Sequence, residues 1–128
     1  ALVDQAWHQI PEAKAPAADK VMEFEVEALK KNGVDYAPVP PRYHTPYFSH
    51  AFAGGYSAGY YAYIWSEVLA RDAEKWFATH GGLQRANGDF LRAKVLSRGR
   101  TVNPEVLFEQ FYGGPPEIGP LLEHRGLK

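Results

Sequence analysis

Proline and glycine punctuate this chain so densely that only fairly short regular segments fit between them. Residues 34–46 carry four prolines, Pro38, Pro40, Pro41 and Pro46. Proline has a fixed φ and no amide hydrogen, which excludes regular helix and central strand there. The segment is expected to be an extended, ordered connection, and loops of that length are often functional. Pro11 and the alanine/proline run Glu12–Ala18 form another breaker. Between these marks, apolar residues recur at helical spacing, with no alternating run of any length and no internal repeat. The expected fold is all-α.

The helices can be placed from their ends. Residues 1–9 read as a helix with Leu2 and Ala6 on one side. Asp19 is the expected cap of a helix over 20–31, with Val21, Phe24, Ala28 and Leu29 as its buried stripe and Asn32-Gly33 as its stop. A long helix is expected over 57–80, with Tyr61, Trp65, Val68, Leu69 and Trp76 facing the core and His80-Gly81-Gly82 ending it. Glu67 and Arg71 are spaced for an ion pair along that helix. Asn87 should cap a helix over 88–98 that Gly99 closes. Asn103-Pro104-Glu105 is a cap followed by proline at the first helical position, opening a helix that runs to Gly113-Gly114-Pro115-Pro116. A short helix over 118–125 completes the set.

Composition narrows the function. The chain has 128 residues, enough for one domain with a modest core. Its net charge is −1 with both signs interspersed, so nucleic acid and anionic membrane surfaces are not expected partners. Cysteine is absent, which excludes disulfides, thiol nucleophiles and thiolate metal sites. That fits a reducing compartment, so cytoplasm is expected, with periplasm also open. No apolar run approaches the roughly 18 residues of a membrane span. The first residues, Ala1-Leu-Val-Asp-Gln-Ala-Trp7, lack a signal peptide's pattern and read as a cut through a longer chain.

None of the five histidines, His8, His44, His50, His80 and His124, sits in a His-Glu-x-x-His helix. His8 and Glu12 are four apart, but Pro11 breaks the helix between them. No metal site is therefore recognisable, and no nucleophile elbow or phosphate loop is present. What remains is His50-Ala-Phe-Ala-Gly-Gly-Tyr-Ser-Ala-Gly-Tyr-Tyr-Ala-Tyr-Ile-Trp-Ser-Glu67. If the helix begins by Tyr56, then Tyr56, Tyr60 and Tyr63 share one face. Such a row of hydroxyls beside a glycine loop can grip an extended polar ligand or donate to an oxyanion. It can equally be an interior aromatic stripe. The other four histidines are expected to be structural or exposed.

The 50–67 segment resembles the C-terminal region of the thimet-oligopeptidase-like zinc peptidases, family M3, and within it the bacterial peptidyl-dipeptidases and oligopeptidases. The flanks agree: Asp4-Gln-Ala-Trp-His8, Pro40-Pro-Arg-Tyr43, Tyr47-Phe-Ser-His50, Leu96-Ser-Arg-Gly99 and Leu121-Leu-Glu-His-Arg-Gly-Leu127. The resemblance covers nearly the whole chain and implies the helical C-terminal portion of a larger zinc enzyme. Its zinc would be held upstream, by a His-Glu-x-x-His helix and a second glutamate, and none of it by residues 1–128. It implies that His50 and Tyr63 stabilise the oxyanion, that Tyr56 and Tyr60 bind substrate, and that Gly54 and Gly55 let the loop move. The implied partners are an oligopeptide substrate and the upstream part of the same polypeptide. The rival expectations are a stand-alone helical module binding peptide or glycan without catalysis, and a structural or oligomerising helical domain.

Overall fold

A computed structural model describes residues 1–128. It is all-helical, and its helices fall into two compact units, 1–62 and 63–128. No helix is long and apolar enough to cross a membrane.

In the first unit, α1 (Leu2–His8) and α2 (Val21–Lys31) are joined through the proline-containing segment, which contributes only single 3-10 turns. Trp7 of α1 and Phe24 of α2 meet with ring centroids 4.2 Å apart. The stop of α2 is the expected one. The Asn32 side chain donates to the Ala28 carbonyl at 2.8 Å, and Gly33 takes φ +69°. Its start differs, because Asp19 lies in a 3-10 turn and makes no capping bond to α2. Its buried face also differs: Ala28 is buried, but its deepest residue is Glu25, at 1% exposure.

Glu25 explains how the proline-rich connection is held. Its carboxylate accepts from His44 Nδ1 at 2.5 Å and from the Thr45 amide and hydroxyl at 2.7 and 2.8 Å. Trp7 Nε1 donates to the same Thr45 hydroxyl at 3.0 Å. A 3-10 turn over Thr45–Tyr47 follows, and then the short α3 (Ser49–Phe52). Phe48 and Ala51 are buried there.

In the second unit, α4 (Ala62–Thr79, its first residue closing the first unit) buries Val68 and Trp76. Trp76 stacks on His80 at 4.1 Å and on Phe90 at 5.3 Å. Tyr61 and Trp65, expected in the core, are about half exposed, at 52% and 53%. The expected Glu67–Arg71 ion pair is present at 4.0 Å, the outer limit of such a contact; Arg71 also makes two bonds of 2.7 Å to Glu74, and Glu67 pairs with Arg125. Then α5 (Arg85–Leu91) runs into a π-helical turn over Arg92–Leu96. Asn87 does not cap it: its side chain donates to the carbonyls of His80 and Gly82, tying the preceding turn to α5. The cap at Asn103 forms as expected, accepting from the Glu105 amide at 3.0 Å, and α6 (Pro104–Tyr112) ends at Gly113 with φ +95°. α6 supplies Leu107 and Phe111 to the core, and α7 (Gly119–His124) supplies Pro120 and Leu121.

The chemistry of Glu25 sets a pH dependence. Burial pushes its pKa up, but hydrogen bonds from His44 and from the Thr45 amide and hydroxyl outweigh burial and hold it below the usual glutamate value. A group lowered in the folded state contributes stability above its unfolded pKa, near 4.5, and loses it as pH falls through the lower folded value. Glu25→Gln is expected to cost about 1–3 kcal/mol at neutral pH. The gap to the parent should narrow as pH falls below the ordinary glutamate range, in urea unfolding curves recorded at stepped pH.

Candidate functional site

The helix expected from residue 57 does not begin until Ala62, so Tyr56, Tyr60 and Tyr63 do not lie along one helical face. Asp4 is the reason. It is fully buried in α1, and its two carboxylate oxygens accept from the amides of Ala58 and Tyr60 at 2.9 and 3.1 Å. These amides are bound in a turn, with Gly59 N donating to Tyr56 O and Ala62 N to Gly59 O. Ala58 adopts φ +57°, the left-handed region that side chains with a Cβ seldom occupy. The Gln5 amide group donates to the Ala58 carbonyl at 2.6 Å, and Ser57 Oγ donates to Ala51 O at 2.9 Å. His8 Nδ1 lies 3.1 Å from Asp4 Oδ1 and 2.7 Å from the Asp4 carbonyl.

This turn brings rings together by another route. The His50 ring, on α3, stands edge-on to Tyr56 at 4.9 Å and to Tyr60 at 5.5 Å. Tyr56 and Tyr60 are 6.4 Å apart, and Phe48 backs Tyr60 at 4.7 Å. His50 and Tyr56 are exposed, while Tyr60 is half-buried. The cluster is therefore exposed at His50 and Tyr56. Tyr63 is the first residue of the second unit, on the opening turn of α4, and is about half exposed.

The double glycine has two separate roles in this geometry. A Cβ on Gly54 would fall 2.6 Å from the His50 carbonyl oxygen, so only glycine allows the chain to pass so close to the α3 backbone. Gly55 takes φ +81°, with open space where a Cβ would stand. Gly54 answers to a close approach and Gly55 to backbone conformation.

No three His, Asp or Glu side chains converge to hold a metal ion. The residues present thus do not fit a zinc ligand set. Asp4 and Glu25 are acidic, but their oxygens are already engaged by backbone amides, Thr45 and histidines. Sequence reading did not single out these two carboxylates. Glu25 sits in a helix rich in acidic residues and looks solvent-facing, and Asp4 left only the Asp4/His8 spacing as a signal.

The family model for Peptidase family M3 matches residues 1–127. The chain belongs to peptidase family M3. Its similarity to individual M3 relatives is high. Over 127 residues, or 99% of this chain, it is 46% identical to a protein of Salmonella typhimurium called dipeptidyl carboxypeptidase. It is 42% identical over 110 residues, 85% of the chain, to oligopeptidase A of Escherichia coli. It is 40% identical over 94 residues, 70% of the chain, to a probable cytosolic oligopeptidase A of Arabidopsis thaliana. The M3 chain described here spans only 18%, 16% and 13% of those relatives' lengths.

The glycine geometry yields a direct test. Gly54→Ala forces the His50 backbone to move and is expected to destabilise the protein by about 1–3 kcal/mol. Gly59→Ala, whose added methyl would rest 3.6 Å from the Tyr56 carbonyl oxygen, is the control. It should cost less than about 1 kcal/mol in the same denaturation series.

Proposed function

We propose that this chain is the helical C-terminal part of an M3 peptidase catalytic domain that hydrolyses peptide bonds in oligopeptides. In this reading residues 1–128 supply groups that bind substrate and stabilise charge. The observation that carries it is the open cluster of His50, Tyr56 and Tyr60 beside the close-passing double glycine, in a chain of this family.

Hydrolysis of a peptide bond places negative charge on the carbonyl oxygen as the carbon becomes tetrahedral. A phenol and an imidazole N–H aimed at that oxygen bind it more tightly in the transition state than in the ground state. Tyr63 and His50 have the chemistry for this role, and neither needs to change its charge. Tyr56 and Tyr60 offer hydroxyls to the peptide backbone, while Gly54 and Gly55 allow the loop to follow the substrate. The zinc expected of such an enzyme would be held by residues upstream, in the same polypeptide. The names of the relatives are compatible with removal of dipeptides or with cleavage inside short peptides, and the residues here serve either.

In the full-length protein, Tyr63→Phe and His50→Ala are each expected to lower kcat by about 100- to 1,000-fold with little change in KM. Tyr56→Phe should act mainly on KM. Steady-state kinetics on an internally quenched peptide separate these outcomes. Unchanged kcat in both His50 and Tyr63 variants would remove them from the reaction.

The 128-residue chain alone is expected to cleave no peptide, with or without added zinc. Chelator-sensitive cleavage by that chain would overturn the assignment of the zinc ligands to upstream residues. Saturable peptide or glycan binding at full strength by the chain alone would favour the stand-alone binding module instead.

A further inference from the structure

We propose that Asp4 is a positioning residue for the two tyrosines, setting from α1 the turn that brings Tyr56 and Tyr60 to the ring of His50. The proposal rests on the reading that these tyrosines meet substrate, and it adds what decides their placement.

Asp4 is fully buried and each of its oxygens accepts from a backbone amide, so it has no access to substrate. Its action is on the backbone. One oxygen holds the amide of Ala58 and the other the amide of Tyr60, the two residues that bracket Gly59. Gln5, next along α1, holds the carbonyl of Ala58. Both polar groups of the left-handed residue are thereby fixed from one helix. A residue with a Cβ keeps that conformation only where its surroundings over-determine it. Ser57 ties the other side of the turn to the carbonyl of Ala51, in the helix that carries His50. The turn is thus bound on one side to α1 and on the other to α3, and the two tyrosine rings flank it.

Asparagine in place of Asp4 can accept from one of the amides but presents N–H to the other. The turn would lose one anchor while the side chain keeps its volume. Without that anchor Ala58 is free to return toward a right-handed conformation, and the tyrosine hydroxyls move with the turn.

The test is a double-mutant cycle on the full-length protein, with Asp4→Asn made both in the parent and in Y56F/Y60F, which lacks the two hydroxyls. Zinc content and Tm are measured for each. Asp4→Asn is expected to lower kcat/KM by about 10- to 100-fold in the parent, mostly through KM. In the Y56F/Y60F background it should cost less than about twofold, because the groups it positions are gone. Equal losses in both backgrounds, or no loss in either, would overturn the proposal and leave Asp4 a structural residue. If Y56F/Y60F itself leaves kcat/KM unchanged, the substrate role of the tyrosines has failed, and the proposal falls with it for a separate and recognisable reason. Should Asp4→Asn not fold, Gln5→Ala carries the same cycle, since it deletes a solvent-exposed bond to the same turn. Its expected loss is about two- to fivefold with the hydroxyls present and none without them. Any other pattern for Gln5→Ala would overturn the proposal.

Discussion

Carboxylates removed from water, each accepting from the backbone of a distant loop, organise this molecule. The largest fully buried side chains are Glu25, Asp4 and Asp72, none of them apolar. Asp4 holds residues 58 and 60, Glu25 holds 44 and 45, and Asp72 accepts from the amide of Glu117 at 2.8 Å. An all-α chain with long connections has no sheet ladder in which to place loop amides. A buried carboxylate offers several acceptor positions at one point and makes charge-assisted bonds stronger than neutral ones. Taking that charge out of water is costly, so the arrangement persists only while the donors stay in place. The loops are ordered for the same reason that the carboxylates can remain buried.

Local signals carried the fold where local interactions decide it. The stop at Asn32-Gly33, the cap at Asn103 followed by Pro104, and the left-handed Gly113 all lie within a few residues of the bonds they make. The expected start of the long helix failed because its amides are claimed by Asp4, more than fifty residues earlier. No pattern near residue 57 records that competitor. Asn87 has the side chain of a cap, but two carbonyls of the preceding turn engage it instead. Tyr61 and Trp65 fit the apolar stripe by spacing, yet each is about half exposed, one in each unit.

The candidate site was legible as a set of residues more than as an arrangement. His50, Gly54, Gly55, Tyr56 and Tyr60 do gather, but through a turn and edge-on ring contacts, not through a shared helical face. Of the three tyrosines that periodicity placed on one face, Tyr56 and Tyr60 meet through the turn, while Tyr63 opens the second unit. The distinction between the glycines was invisible in sequence, where the two letters are identical. Only the backbone separates the one that must avoid the His50 carbonyl from the one that must adopt positive φ. Asp4 entered only as part of a flanking motif and Glu25 not at all, and neither was given a supporting role, since an acidic residue in a helix is ordinarily solvated.

The unshared oxygen of Asp72 has a consequence for the molecule under acid. One of its oxygens accepts from Glu117, while the other is buried without a hydrogen-bond partner. Burial raises its pKa, and neighbouring Glu117 adds to this, against the bond from the Glu117 amide and the charge of Lys75. A raised acid favours the folded state most fully below its unfolded pKa, and that contribution is lost as pH rises through the folded value. Glu25 has the opposite sense, so falling pH relieves a carboxylate in the second unit and, once below the ordinary glutamate range, withdraws the contribution of one in the first. The two buried carboxylates therefore give the two units opposite responses to protonation, one eased by it and the other deprived of the charge that orders residues 44 and 45.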